Sequence, residues 1–264
     1  MKKKKKKIIY ISILVFLIIL TVGFLLMNFV SATGNDSYVK LLLHMNGTDG
    51  STTFTDSEAT PKTVTANGNA QIDTAQSKFG GASGLFDGTG DYLSIPDSDD
   101  WNFGSGDFTI DLWVRLNSLA AVNAIVSQYV SGGNDWILYT QGDGSVRFYA
   151  GGATIVDMTS ASSEVTTNIW YHLAVTRNGN NWKLFKNGTQ IASSAATGTM
   201  PDYASLLYIG AYNISLNYFF DGWLDELRIS KGIARWTADF TPPSCDYDSE
   251  CGAPPKVPDV MIFE

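Results

Sequence analysis

Hydrophobic and polar positions alternate with a period of two along most of this chain, in short runs separated by Gly, Asn, Asp and Ser. In the clearest run Phe108, Ile110, Leu112, Val114 and Leu116 share one face, and Thr109, Asp111, Trp113 and Arg115 take the other. Only the pleat of a strand sorts residues in this way. A second long run, Trp-Tyr-His-Leu-Ala-Val-Thr-Arg at 170–177, has the β-branched and aromatic content of a sheet buried on at least one side. Residues 181–186 and 189–192 flank Asn187-Gly188, a pair that supplies the two positive φ angles of a type I′ turn, so a hairpin is expected there. Further strands are expected near 38–44, 83–87, 91–95, 123–129, 135–140, 144–149, 153–158, 205–210 and 217–229. No helical apolar period of useful length follows residue 32. The body, 38–243, therefore reads as all-β, two packed antiparallel sheets forming a sandwich or jelly roll. Every strand signal lies inside those limits, so this segment is expected to fold without the first 32 residues and without the tail.

The amino terminus is of another kind. Six lysines at 2–7 precede 23 uncharged positions, 8–30. As one hydrophobic helix the run would span roughly 34 Å, enough to cross a bilayer's hydrocarbon core. Val30-Ser31-Ala32 then resembles a signal-peptidase site, with cleavage after Ala32, while the length of the run suits an uncleaved signal anchor. Both readings leave the lysines in the cytoplasm and export the remainder. The chain thus divides into 1–32, signal peptide or anchor; 33–37, a short linker; 38–243, the β domain; and 244–264, an acidic, Pro-containing tail. It is expected outside the cell or at its surface, secreted or held by a single transmembrane helix.

Composition narrows the reading further. Of 264 residues 44 % are hydrophobic and 17 % charged, which excludes wholesale disorder. Beyond residue 7 the chain has 12 cations against 26 acids, a net of −14, and a surface so acidic repels phosphate backbones, so nucleic acid is not an expected partner. Two cysteines exclude a disulfide-built scaffold or a Cys-rich zinc module. Cys245 and Cys251 can form a local disulfide in an oxidising compartment.

Seven stretches, in order, carry a resemblance: Leu-Leu-Leu-His-Met-Asn-Gly at 41–47, Phe-Gly-Gly-Ala-Ser-Gly-Leu-Phe-Asp-Gly at 79–88, Asp-Tyr-Leu-Ser-Ile-Pro at 91–96, 107–114, 168–177, Leu-Tyr-Ile-Gly at 207–210, and Gly-Trp-Leu-Asp-Glu-Leu-Arg-Ile-Ser at 222–230. The succession resembles the laminin-G-like jelly rolls of the concanavalin A-like lectin/glucanase superfamily. The resemblance implies a recognition module for glycans or extracellular proteins, often with calcium. In such jelly rolls the first and last strands lie side by side, which would let Asn46, Asp49, Asp56 and Asp225 share a calcium ion. The family commonly has Asp where this chain has Asn46. Turn chemistry explains the same residues without a metal.

Catalysis finds little support. Glucanases need two carboxylates facing one bond. The pair Asp225-Glu226 would point to opposite faces of a strand. His44 and His172 both sit in strand segments, where a structural role is expected. A binding surface would draw on aromatic rings for sugar faces and on polar groups for hydroxyls. Tyr129, Trp136, Tyr203, Tyr212 and Tyr218 lie near Gly/Asn/Asp-rich segments and are the candidates. Two other readings stay open: a spacer domain of a larger adhesion protein, and a glycan-active enzyme.

Overall fold

The structure, a computed structural model, describes residues 35–119, 122–151, 155–212 and 218–248. All belong to the unit 33–264, the second of two into which the chain divides. The apolar run at 8–30, Ala32 and Cys251 lie outside the described residues. Among the described residues no helix is long and apolar enough to cross a membrane.

Fifteen strands are described: β1 (Val39–Leu43), β2 (Thr65–Asn67), β3 (Gln71–Asp73), β4 (Ser83–Asp87), β5 (Tyr92–Ile95), β6 (Phe108–Leu116), β7 (Asn123–Ser131), β8 (Asn134–Thr140), β9 (Val146–Ala150), β10 (Val156–Thr159), β11 (Trp170–Asn178), β12 (Asn181–Lys186), β13 (Thr189–Ala195), β14 (Leu207–Ile209) and β15 (Asp221–Lys231). They form two antiparallel sheets. The first runs β13-β12-β11-β6-β15-β4-β3, with β1 also paired to β15; the second runs β10-β9-β8-β7-β14-β5-β2. The jelly-roll expectation holds. Short β2 and β3 escaped it, because three residues are too few to show an alternation.

The core lies between the sheets. Ile110, Leu112 and Val114 of β6 face Leu138 and Phe148 of the second sheet within one buried cluster. At one end Phe103 stacks on Phe108 at 4.2 Å, and Trp182 meets Phe108 edge-on at 5.6 Å. Two residues expected at a binding surface belong to this core. Trp136 is wholly buried, its Nε1 donating to Gln128 Oε1, and Tyr203 is buried with its hydroxyl donating to the Gly151 carbonyl. The alternation of β8 forces the first result: Trp136, Leu138 and Thr140 point inward, Asp135, Ile137 and Tyr139 outward.

The expected hairpin turn is present, with Asn187 at φ 49° and Gly188 at φ 79°. Gly188 is required twice over, since a Cβ there would overlap the carbonyl of Phe240. That contact shows where the chain goes after β15: it returns across the outer face of the first sheet. Trp236 stacks on Phe240 at 3.9 Å, and both rings stand edge-on to His172. Residues 244–248, read above as the start of a tail, join the same layer. Tyr247 is buried against Val39 and Leu42, and its hydroxyl donates to Asp111 Oδ2 at 2.5 Å. Cys245 is disulfide-bonded.

One of the breaks in strict alternation falls in β15. Glu226 has φ 50° and forms a bulge in β15 between Asp225, opposite Trp113, and Arg228, opposite Asp111. The bulge carries Glu226 to the backbone N–H of Tyr247 (3.0 Å) and to His44 Nδ1 (2.9 Å), whose other nitrogen meets Asp248. Burial works against charge on His44, yet the two carboxylates lift it to about 9. These contacts tie β15 to His44 and to the segment carrying Tyr247 and Asp248.

Candidate functional site

The outer face of the second sheet holds a groove. Its rungs follow from register. Tyr129 faces Asp135; Ser127, Ile137, Tyr149 and Asp157 form the next row; Ala124, Tyr139, Arg147 and Thr159 the third. Over this face lies the segment carrying Tyr212, fixed by the Ser127 hydroxyl donating to the Ala211 carbonyl at 2.8 Å and by an antiparallel bridge between Ala211 and Phe219. The groove, of about 370 Å³, is lined by Tyr139, Tyr149, Tyr212 and Tyr218 over Ile137 and Val122, with Asp135, Gln141 and Arg147 as its other polar groups.

Each polar group is held in place. Arg147 grips Asp157 in a bidentate pair, Nε to Oδ1 at 2.7 Å and Nη2 to Oδ2 at 2.5 Å, while Nη1 donates to the Tyr139 hydroxyl at 2.6 Å. The guanidinium carbon lies 5.7 Å from the ring centroids of both Tyr139 and Tyr149. Tyr212 stacks on Tyr218 at 6.2 Å, meets Tyr129 edge-on at 5.0 Å and donates its hydroxyl to Asp135 Oδ2. Burial pushes the Asp135 carboxyl up, opposed by that hydrogen bond, and its buried Oδ1 has no partner. Burial, and then Asp135, raise the Tyr212 phenol, so it stays a donor.

Such a groove offers tyrosine faces for the C–H patches of a sugar ring and acceptors for its hydroxyls. It offers no pair of carboxylates: Asp135 is the one acid among its lining residues. Of the sequence candidates, Tyr212 and Tyr218 line it and Tyr129 packs behind Tyr212; Trp136 and Tyr203 point the other way. Tyr139, Tyr149, Arg147, Asp135 and Gln141 were missed. The alternation within 135–140 and 144–149 held the signal, because the apolar partners of one face name the other face as exposed.

The four residues expected to share calcium each have neighbours within the chain. Among the described residues no three His, Cys, Asp or Glu side chains are grouped to hold a metal. Asp49 Oδ1 accepts from the Thr74 N–H and hydroxyl. Asp56 accepts the N–H groups of Leu42, Glu58 and Lys62. The Asn46 amide lies against Gly80, so close that a Cβ there would overlap it. Calcium thus rests on the family resemblance alone. Asp225 is buried, with Oδ2 accepting from the N–H groups of Lys78 (2.8 Å) and Phe79 (3.1 Å) and Oδ1 without a partner. Burial pushes its carboxyl up to about 7 against those two amides. The folded chain therefore keeps a proton that the unfolded chain releases near pH 4, so stability from this residue falls as pH rises from about 4 to about 7. Asp225→Asn keeps an acceptor and is expected to remove that loss, gaining on the order of 2–4 kcal/mol at about pH 8 and little at about pH 4. Urea melts at the two pH values check it; equal effects at both would refute the assignment.

No curated protein matches the sequence. A family model, Laminin_G_3 of the concanavalin A-like lectin/glucanases superfamily, matches residues 87–235, which include every residue lining the groove. Among solved structures the fold is similar to the binding domain of Paraclostridial Mosquitocidal Protein 1, at 16 % identity and TM-score 0.59 over 75 % of this chain and 50 % of that one. It is also similar to Domain 4 of AbnA, a GH43 extracellular arabinanase from Geobacillus stearothermophilus solved with arabinotriose, at 17 % identity and TM-score 0.56 over 76 % and 95 %. A third is the binding domain of Botulinum Neurotoxin DC in complex with SialylT, at 15 % identity and TM-score 0.54 over 75 % and 49 %. The chain spans about half the length of the first and third. At these identities the likeness is one of fold.

Proposed function

The chain belongs to the Laminin_G_3 family of the concanavalin A-like lectin/glucanases superfamily, and on that premise we propose that it is an exported, non-catalytic recognition module whose tyrosine-lined groove binds glycan at the cell surface. The groove carries the reading: four tyrosines, ordered by Arg147 and Asp135, line a concave site on a sheet face. Export rests on the lysines at 2–7 and the uncharged run at 8–30, which would also tether the module to a membrane if uncleaved. The neighbours support recognition in general: two are binding domains by name, and the third was solved with a bound oligosaccharide.

The test is a glycan array with the full chain in detergent, followed by titration of the best ligand. Tyr149→Ala and Tyr218→Ala should each weaken binding by about tenfold or more, which corresponds to about 1.4 kcal/mol. Both side chains are partly exposed, so β-type circular dichroism should be retained. A ligand bound equally well by both variants would place recognition elsewhere. An array with no glycan above background would favour a spacer domain instead.

A further inference from the structure

Resting on that reading of the groove, we propose that its ligand is a neutral saccharide and that glycans bearing sialic or uronic acid are selected against. Recognition of a sugar carboxylate calls for a free cation, best a guanidinium presenting its fork. Arg147 is the one cation among the residues lining the groove, and its fork is occupied. Nε and Nη2 hold both oxygens of Asp157, and Nη1 holds the Tyr139 hydroxyl. Tyr139 and Tyr149 flank the guanidinium, so it cannot swing toward a ligand without leaving both rings. An incoming carboxylate would have to displace Asp157 or crowd beside it, with Asp135 as a further acid in the same groove.

The groups that remain suit hydroxyls. Gln141 can donate or accept, and the hydroxyls of Tyr149 and Tyr218 can do either. Arg147 and Asp157 compensate one another, so the groove presents a dipole and aromatic faces rather than a net positive charge. The long-range field points the same way, since the chain beyond residue 7 carries 12 cations against 26 acids. Discrimination by an uncompensated like charge is a recognised way to reject one of two related ligands.

Matched pairs decide the matter: lactose with sialyllactose, and xylotriose with its glucuronic-acid-substituted form, titrated into the full chain and into Tyr149→Ala. Where the neutral member binds, its acidic partner is expected to bind about tenfold more weakly or worse, a gap of about 1.4 kcal/mol. Asp157→Asn keeps a polar neighbour for Arg147 but releases its charge, and should narrow that gap severalfold. Asp157 is exposed on β10, so the exchange leaves the core untouched. An acidic member bound as tightly as the neutral one, with Tyr149→Ala still weakening both, would overturn the charge selection and leave the groove standing. Binding indifferent to Tyr149→Ala, or no binding in any pair, would overturn both.

Discussion

Tyr247→Ala should destabilise the protein by about 3–5 kcal/mol, the range for deleting a large buried aromatic side chain. At about 2–4 °C per kcal/mol for a domain of this size, the melting midpoint should fall by roughly 6–20 °C. The ring fills the space above Val39 and Leu42 and lies with its centroid 4.0 Å from the Arg228 guanidinium carbon. Its hydroxyl donates to Asp111 Oδ2 at 2.5 Å and lies 3.2 Å from His172 Nε2. Since the phenol proton goes to Asp111, His172 must donate through Nε2. Its Nδ1 is then a lone pair, in keeping with a buried Nδ1 that has no partner and a ring that burial holds neutral. Tyr247→Phe keeps the ring and should cost only about 1–2 kcal/mol. Ending the chain at residue 243 should cost at least as much as the alanine exchange, so the segment 38–243 folds less stably than its strand pattern suggests. Thermal melts of the three variants check this; a chain ending at 243 that melts within about 2 °C of the parent would refute the role of Tyr247.

Much of this fold was written in local pattern. The alternation of β6 announced its two faces, and Asn187-Gly188 announced its turn, because each depends on neighbours in sequence alone. Tyr247 was not legible, since nothing beside it marks the acidic segment as one that docks on a sheet built far upstream. The bulge at Glu226 was hidden for a related reason: a bulge is a mismatch of register between β15 and β6, not a property of β15. The groove lay between these cases. Turn-forming neighbours in sequence point to Trp136 and Tyr203, although strand period alone separates Trp136 from Tyr139 and Tyr149. Period says which residues share a face; the apolar run of Trp136 and Leu138, continued by Val146 and Phe148, says which face is inside.

Arg228→Met is the sharper test of the layer beneath Tyr247. Asp111 and Arg228 are both fully buried and share two hydrogen bonds, Nε to Oδ1 at 3.1 Å and Nη2 to Oδ2 at 3.0 Å. Burial pushes the Asp111 carboxyl up, but Arg228 and then His172 outweigh it and hold the group below the usual carboxylate range. In the parent protein this residue therefore contributes stability that is present above about pH 4 and is lost as pH falls further. Without the guanidinium, burial acts with less opposition. Asp111 then has a raised pKa, and its contribution reverses sign: the variant loses stability as pH rises through the new value. Removing one partner of a buried pair typically costs about 3–5 kcal/mol, and that cost should appear at about pH 8 and shrink toward about pH 4. Replacing both partners by apolar residues, Asp111→Leu with Arg228→Met, should recover much of the loss, most completely with Tyr247→Phe, whose hydroxyl would otherwise lack its acceptor. Urea melts across that pH range decide it: a cost for Arg228→Met that grows toward acid would mean that Asp111 is not the charge the arginine compensates.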